Sequence, residues 1–268
     1  FKFNDFERSA MDNDRLNSMF TDLEIYSLSK SLSAITDSKN KNITSPEIKK
    51  SYSTLMTRES LLNFIKSITK EILISIDIET SELDPINADI VGISISLKAN
   101  EGYYIPIIFP DKSIYNDYDL DLVFVLNSFR EILEDSSYKK CGQNIKYDSL
   151  ILKRHGIDLE GIYFDSMLAE HILNPDKNSY KLDNLSIEYL GYEMKPIESL
   201  IGEGKDQISM SKVPLSEIAF YAAEDSDIAL QISNKSISRI NDNNLDDPYF
   251  NIELPLIPVL VDMEEFGV

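Results

Sequence analysis

The chain has 268 residues, of which 43% are hydrophobic and 27% charged, enough apolar material for one main soluble domain with appendages. A formal net charge of −20 excludes a broad electrostatic grip on nucleic acid, because such affinity comes from Lys and Arg neutralising phosphates. One cysteine, Cys141, and two histidines, His155 and His171, exclude a disulfide framework and a Cys/His zinc site; with no membrane-length apolar run and a charged N-terminus unlike a signal peptide, a reducing, cytoplasmic setting is expected.

Residues 1–60 differ in texture from the rest of the chain. A short helical pattern around Asp14 to Leu28 gives way to "SKSLSAITDSKNKNITSPEIKKSYS", a Ser-, Lys- and Asn-rich stretch that reads as a linker. Regular patterning begins near Leu61: a short helix over Glu59 to Lys66, then a strand over Ile72 to Ile78. A second strand, "DIVGISISL", alternates Val91, Ile93, Ile95 and Leu97 with Gly92, Ser94 and Ser96, and a third, "GYYIPII", comes after the turn "KANEG". Short turns between the three predict an antiparallel meander. After Asp119 come a helix ("DLDLVFVLNSFREILED"), a short strand near Tyr138 to Gly142, and helices separated by Gly, Asn and Pro, so the class is mixed α/β. Asp165 is expected to cap its helix, and His155 to occupy a helix end before Gly156. The last stretch, "IELPLIPVLVDMEEFGV", opens another amphipathic helix.

Acids stand where apolar residues are expected. With the two-residue period of a strand, Ile72, Ile74, Ile76 and Ile78 share one face, while Asp77 and Glu79 lie together on the other with Leu73 and Ser75. Asp148 falls on the helical stripe of Ile151 and Leu152, and Asp225 interrupts the stripe Ile218, Tyr221, Ala222, Ile228, Ala229, Ile232, one turn after Tyr221. A charge inside a packing face is costly unless paired or liganded. Oxygen-only donors suit Mg²⁺ or Mn²⁺, and four carboxylates from three elements could hold two ions about 3.5–4 Å apart, the separation used in phosphodiester cleavage. Taken singly, each acid also fits a structural role: a solvated strand end for the Asp77–Glu79 pair, a helix-dipole partner for Asp148, a helix-surface hydrogen bond for Tyr221 and Asp225.

The blocks "IDIETSELDPINADIVGISISL", "CGQNIKYDSLIL", "FDSMLAEHILNP", "LDNLSIEYLG" and "YAAEDSDIALQI", in this order, resemble the 3′-to-5′ proofreading exonuclease domain of bacterial family A DNA polymerases, the DNA polymerase I type. The likeness runs from about Ile72 to Ile240 and includes D-x-E, N-x-x-x-D and Y-x-x-x-D motifs. It implies a ribonuclease H-like fold, a mixed five-stranded sheet flanked by helices. It implies that Asp77, Glu79 and Asp225 ligate one Mg²⁺ or Mn²⁺, that Asp148 helps hold a second, and that Tyr221 orients the attacking water. Leu83 would wedge against the terminal bases, and Gln143 and Asn144 would contact or support the single-stranded DNA 3′ end. Ile78 stands between the paired acids where relatives often carry Thr, and Ile197 near where some carry an aromatic. The resemblance also implies a larger chain: residues 1–60 as the tail of an upstream 5′ nuclease domain plus linker, 61–242 as the exonuclease, 243–268 as the start of a polymerase domain, working at the nucleoid and without a membrane. Two other readings share these motifs: a catalytically silent scaffold domain, and a ribonuclease D-like RNA 3′ exonuclease.

Overall fold

The computed structural model describes residues 12–22 and 50–268. The chain divides into two units, Phe1–Ile48 and Lys49–Val268. In the first, helix α1 (Asn13–Asp22) matches the start of the expected helical pattern; the remainder of that pattern and most of the expected linker lie outside the described residues.

The second unit opens with strand β1 (Ser51–Thr54) and helix α2 (Arg58–Ile65), whose start is set by a capping box between Thr57 and Ser60. The meander comes next as β2 (Ile74–Thr80), β3 (Ile90–Lys98) and β4 (Glu101–Pro106). Then come α3 (Leu122–Glu134), capped by Asp121, β5 (Lys140–Gly142), α4 (Ile145–Arg154), β6 (Ile162–Asp165) and α5 (Ser166–Leu173). Helices α6 (Leu182–Leu190) and α7 (Glu198–Ile201) lead to the long α8 (Leu215–Asp242), and a π-helical turn at Tyr249–Glu253 enters α9 (Leu254–Glu265). Among the described residues no helix is long and apolar enough to cross a membrane.

The strands form one mixed sheet in the order β1-β4-β3-β2-β5-β6, with β2-β3-β4 antiparallel as expected and the outer pairings parallel. The sheet has six strands rather than five. The additional one, β1, lies at an edge inside the segment read as linker. Its four residues, "SYST", are polar and largely exposed, so no apolar alternation marked it. The first meander strand also runs two residues later at both ends than expected, to Thr80, so that Glu79 as well as Asp77 sits within it.

Ile74, Ile76 and Ile78 of β2 pack with Ile93, Ile95 and Ile105 against Leu61 and Phe64 of α2 and Val125, Leu126, Phe129, Ile132 and Leu133 of α3. This isoleucine face is the main core. Val91 departs from the expected alternation: the β2–β3 register shifts beyond Glu79, and Val91 joins Tyr104 and Ile218 on the opposite face.

That opposite face is covered by α8, and it is lined by small residues. Ser75, Ser94 and Ser96 are fully buried there, and a Cβ on Gly102 would lie 2.5 Å from the Ala223 carbonyl oxygen of α8. The absent side chain sets how closely the helix approaches the sheet. Asp165 caps α5 as expected, accepting from the Leu168 N–H at 2.8 Å, and also accepts from the Ile145 N–H at 2.6 Å, joining the starts of α5 and α4. His155 ends α4, its Nδ1 2.9 Å from the Ile151 carbonyl.

Gly102→Ala is expected to destabilise the fold by about 1–3 kcal/mol, the cost of overpacking against backbone that must shift. Chemical denaturation checks this; an unchanged midpoint would show that α8 can yield.

Candidate active site

Three elements converge on one end of the α8 face. Strand β2 presents Asp77 and Glu79 on the side facing α8, opposite the isoleucine face, because residues two apart on a strand point the same way. Helix α8 lays Tyr221 and Asp225, one turn apart, over them. Helix α4 begins at Asn144, whose left-handed backbone (φ 59°) turns the chain out of β5 and sets Asp148 in the first turn. Asp77, Glu79 and Asp225 each offer a carboxylate oxygen within 4.8 Å of the others. Asp148, on α4, lies outside that trio but close enough for its charge to act on Glu79 and for that of Asp77 to act on it, and its Oδ2 is buried without a partner.

Glu79 and Asp148 are buried, at 7% and 3% exposure, while Asp77 and Asp225 keep partial access to solvent. Among the described residues no Lys, Arg or His forms an ion pair with any of the four. Burial therefore acts almost unopposed on their acidities. It pushes Asp77 up to about 6, with the Ser94 hydroxyl, 3.4 Å from Oδ2, pulling the other way. Glu79 is raised well above the usual carboxylate range by burial and then by Asp77 and Asp148; Asp148 by burial and then by Asp77 and Asp165. Asp225 rises through burial and the charges of Asp77 and Glu79, with the Tyr221 hydroxyl, one turn away, opposing. Burial and these same acids raise the Tyr221 phenol, so its hydroxyl stays a donor.

A set of four carboxylates with an unpartnered oxygen and no counter-charge fits a hard divalent cation, which would remove both the repulsion and the desolvation cost. The donors are all oxygen, unlike a zinc site.

The expected substrate residues fall into different settings. Leu83 is 89% exposed on the turn after β2, and that turn is held by the Ser209 hydroxyl donating to the Ser81 carbonyl at 2.7 Å and Tyr147 donating to the Glu82 carbonyl at 3.2 Å. Gln143 is engaged within the protein: its Nε2 donates to the Tyr180 carbonyl at 2.7 Å and its Oε1 accepts from Ser166. Asn144 is the left-handed residue before α4, half-buried, with no side-chain capping bond. Ile197 packs at the start of α7, against the cluster that includes Tyr104 and Ile218.

Two acids not singled out from the sequence, Glu224 and Asp227, flank Asp225 on α8 and are fully buried. Glu224 pairs with Lys50 at 3.0 Å, accepts from the Lys195 N–H at 2.9 Å and from the Tyr192 hydroxyl, and Lys50 also lies 3.4 Å from the centroid of the Tyr192 ring. Asp227 accepts from the Tyr52 hydroxyl at 2.8 Å, the Asn100 N–H at 2.7 Å and Gln231 at 2.8 Å. The available signal was the density of acids in "AEDSD" on a helix that must pack. Glu224→Ala, which strands Lys50 and two further donors, is expected to cost about 3–5 kcal/mol, measured by denaturant unfolding. A loss below about 1 kcal/mol would show that the network does not hold α8.

Comparison with known proteins identifies the family and the fold. The family model for the 3′-5′ exonuclease matches residues 52–238. DNA polymerase I of Borreliella burgdorferi is 35% identical over 218 residues, 81% of this chain and 23% of that relative. The chain thus spans under a quarter of that relative's length. Among solved structures, the polymerase domain of Pol1 from M. smegmatis with DNA primer-template and dNTP superposes with a TM-score of 0.61 at 17% identity, covering 81% of this chain and 32% of that one. Escherichia coli RNase D, an exoribonuclease, superposes at 0.56 and 18% identity, covering 81% of this chain and 51% of that one. These likenesses show a shared ribonuclease H-like fold. With its family model matched from β1 to near the end of α8 and its acids gathered under that helix, the chain belongs to the 3′-5′ exonuclease family and is a hydrolase of that kind.

Proposed function

We propose that this domain removes mononucleotides from the 3′ ends of single-stranded DNA, using two Mg²⁺ or Mn²⁺ ions, as the proofreading portion of a cytoplasmic, nucleoid-associated DNA polymerase I. The observation that carries this reading is the convergence of Asp77, Glu79, Asp148 and Asp225 without a counter-charge. The larger chain would supply the polymerase and 5′ nuclease domains, and with them much of the grip on DNA that a domain of net charge −20 lacks.

Asp77, Glu79 and Asp225 would hold one cation, and Asp148, through its free Oδ2, would help hold the second. Bound ions of this kind polarise the phosphoryl oxygens and lower the pKa of water. The protein's own groups position the reactants. Tyr221, kept protonated beside Asp225, orients the attacking water. Leu83, exposed on its pinned turn, stacks against the last base, and Gln143 braces the Tyr180 segment alongside Asn144. The water oxygen bonds to phosphorus as the bond to the 3′ oxygen breaks; the leaving oxygen takes a proton, releasing a 5′-mononucleotide and a strand one unit shorter.

Digestion of a 5′-labelled single-stranded DNA in Mn²⁺ is expected to give a ladder shortening from the 3′ end. Asp148→Ala and Asp225→Ala are each expected to slow it by about 100-fold or more, since each withdraws a cation ligand from the transition state. Faster degradation of RNA would favour an RNA-trimming enzyme, and no cleavage of either a scaffold.

The pH response is set by the acidities. A carboxylate whose pKa is raised by folding costs stability once the unfolded chain's own group ionises, so the cost is absent below about pH 4 and, for Asp77, grows until about pH 6, where the folded group ionises too; Asp148 is raised in the same direction. In EDTA, Asp148→Asn is therefore expected to melt with the unmodified chain near pH 4 and above it by about pH 7. Mn²⁺ is expected to raise the Tm of the unmodified chain at about pH 7 far more than at pH 4. Thermal melts decide; a constant offset between the two proteins across this range would contradict the assigned charge.

A further inference from the structure

Beneath the acids lies a tyrosine that the proposed chemistry does not use. Tyr104 of β4 is fully buried, and its hydroxyl has no hydrogen-bond partner among the described residues. Its backbone sits opposite Ser94 of β3, and Ser94 sits opposite Asp77 of β2. The ring runs along the sheet and lies over Gly92, where any Cβ would collide with the tyrosine hydroxyl. Gly92 is in turn the residue directly opposite Glu79. The glycine thus makes room for a phenol to reach the Glu79 position.

The hydrogen-bond partners point the same way. Asp77 already has the Ser94 hydroxyl beside it, and the Ile78 backbone pulls the pKa of Asp148 down. Glu79 has no side-chain hydrogen bond among the described residues, although it is 7% exposed. The unpartnered Tyr104 hydroxyl therefore lies over Gly92, the residue paired across the strands with Glu79, whose own carboxylate lacks a donor. Glu79 is the first of the charges acting on the Tyr104 phenol, ahead of Asp77, and burial keeps that phenol protonated. Ring packing against Val91, Ile218 and Ala222 does not account for the oxygen, since phenylalanine would fill the same space without stranding a hydroxyl.

We propose that Tyr104 is a positioning residue for Glu79: its hydroxyl donates to the Glu79 carboxylate when that group is ionised and holds it turned toward the cation site. The proposal rests on the reading of the acids as cation ligands. Groups that orient a ligand from behind commonly change metal affinity by about 10-fold or more.

Tyr104→Phe tests it, made in the full chain and followed by calorimetric Mn²⁺ titration and by melting in EDTA. The expected result is an Mn²⁺ dissociation constant raised about 10-fold for the ion that Glu79 holds, with the Tm in EDTA unchanged or slightly higher. Equal Mn²⁺ affinity in the two proteins would overturn the proposal and leave the cation site intact. A substantial fall of the Tm in EDTA would also overturn it, by showing that the hydroxyl has a structural partner in the metal-free protein. Absence of Mn²⁺ binding by the unmodified chain would remove the site itself, and Tyr104's role with it.

Discussion

Like charges brought together under a helix are the constraint on which the rest of this structure depends. At an effective dielectric near 20, two carboxylates about 5 Å apart repel by about 3 kcal/mol when both are ionised. Here three come within 4.8 Å of one another and the charge of a fourth, Asp148, acts on Glu79, with the Ser94 hydroxyl, 3.4 Å from Asp77, to soften them. Such a cluster survives only where the surrounding fold is stiff enough to hold it. The isoleucine core on the far side of β2 provides that stiffness, as it fixes the strand from behind while the acids project forward.

The second requirement is close approach. Helix α8 brings Asp225 to the sheet because the face it covers is lined by Gly102, Ser75, Ser94 and Ser96. Its position along the sheet is then set by charge pairing rather than apolar packing alone. Glu224 and Asp227, on either side of Asp225, reach back to Lys50, Tyr52 and Asn100 at the β1 edge and the β3–β4 turn. One run of acids on the helix therefore does two jobs: Asp225 faces the cluster, and its neighbours anchor the helix. The anchoring acids are fully partnered and the clustered ones are not, the contrast expected if the anchoring acids are structural and the clustered ones are the proposed cation ligands.

The turns around the site are fixed in a similar way. Asp165 receives the N–H groups that start α4 and α5 and is itself bracketed by the Tyr249 hydroxyl, so the helix bearing Asp148 is oriented by groups from β6 and the segment before α9. Tyr147, the neighbour of Asp148, ties the Leu83 turn to the same helix. Movement of α4 would thus displace a proposed cation ligand and the proposed base wedge together.

Where a property depends on neighbours two to four residues away, the sequence by itself determined it. The shared face of Asp77 and Glu79, the one-turn spacing of Tyr221 and Asp225, the Asp165 cap and the meander were all legible, because strand and helix periods are local geometry. Periods state which way a side chain points and not what it meets. Tertiary structure alone decided that the acids converge and that Val91 changes face at a register shift. It also decided that Gln143 spends its amide on Tyr180, that a polar linker end becomes the sixth strand, and that the Tyr104 hydroxyl comes to lie over Gly92, opposite Glu79. The pairs that hold α8 to the β1 edge join residues 174 and 175 positions apart, a separation that no local pattern records.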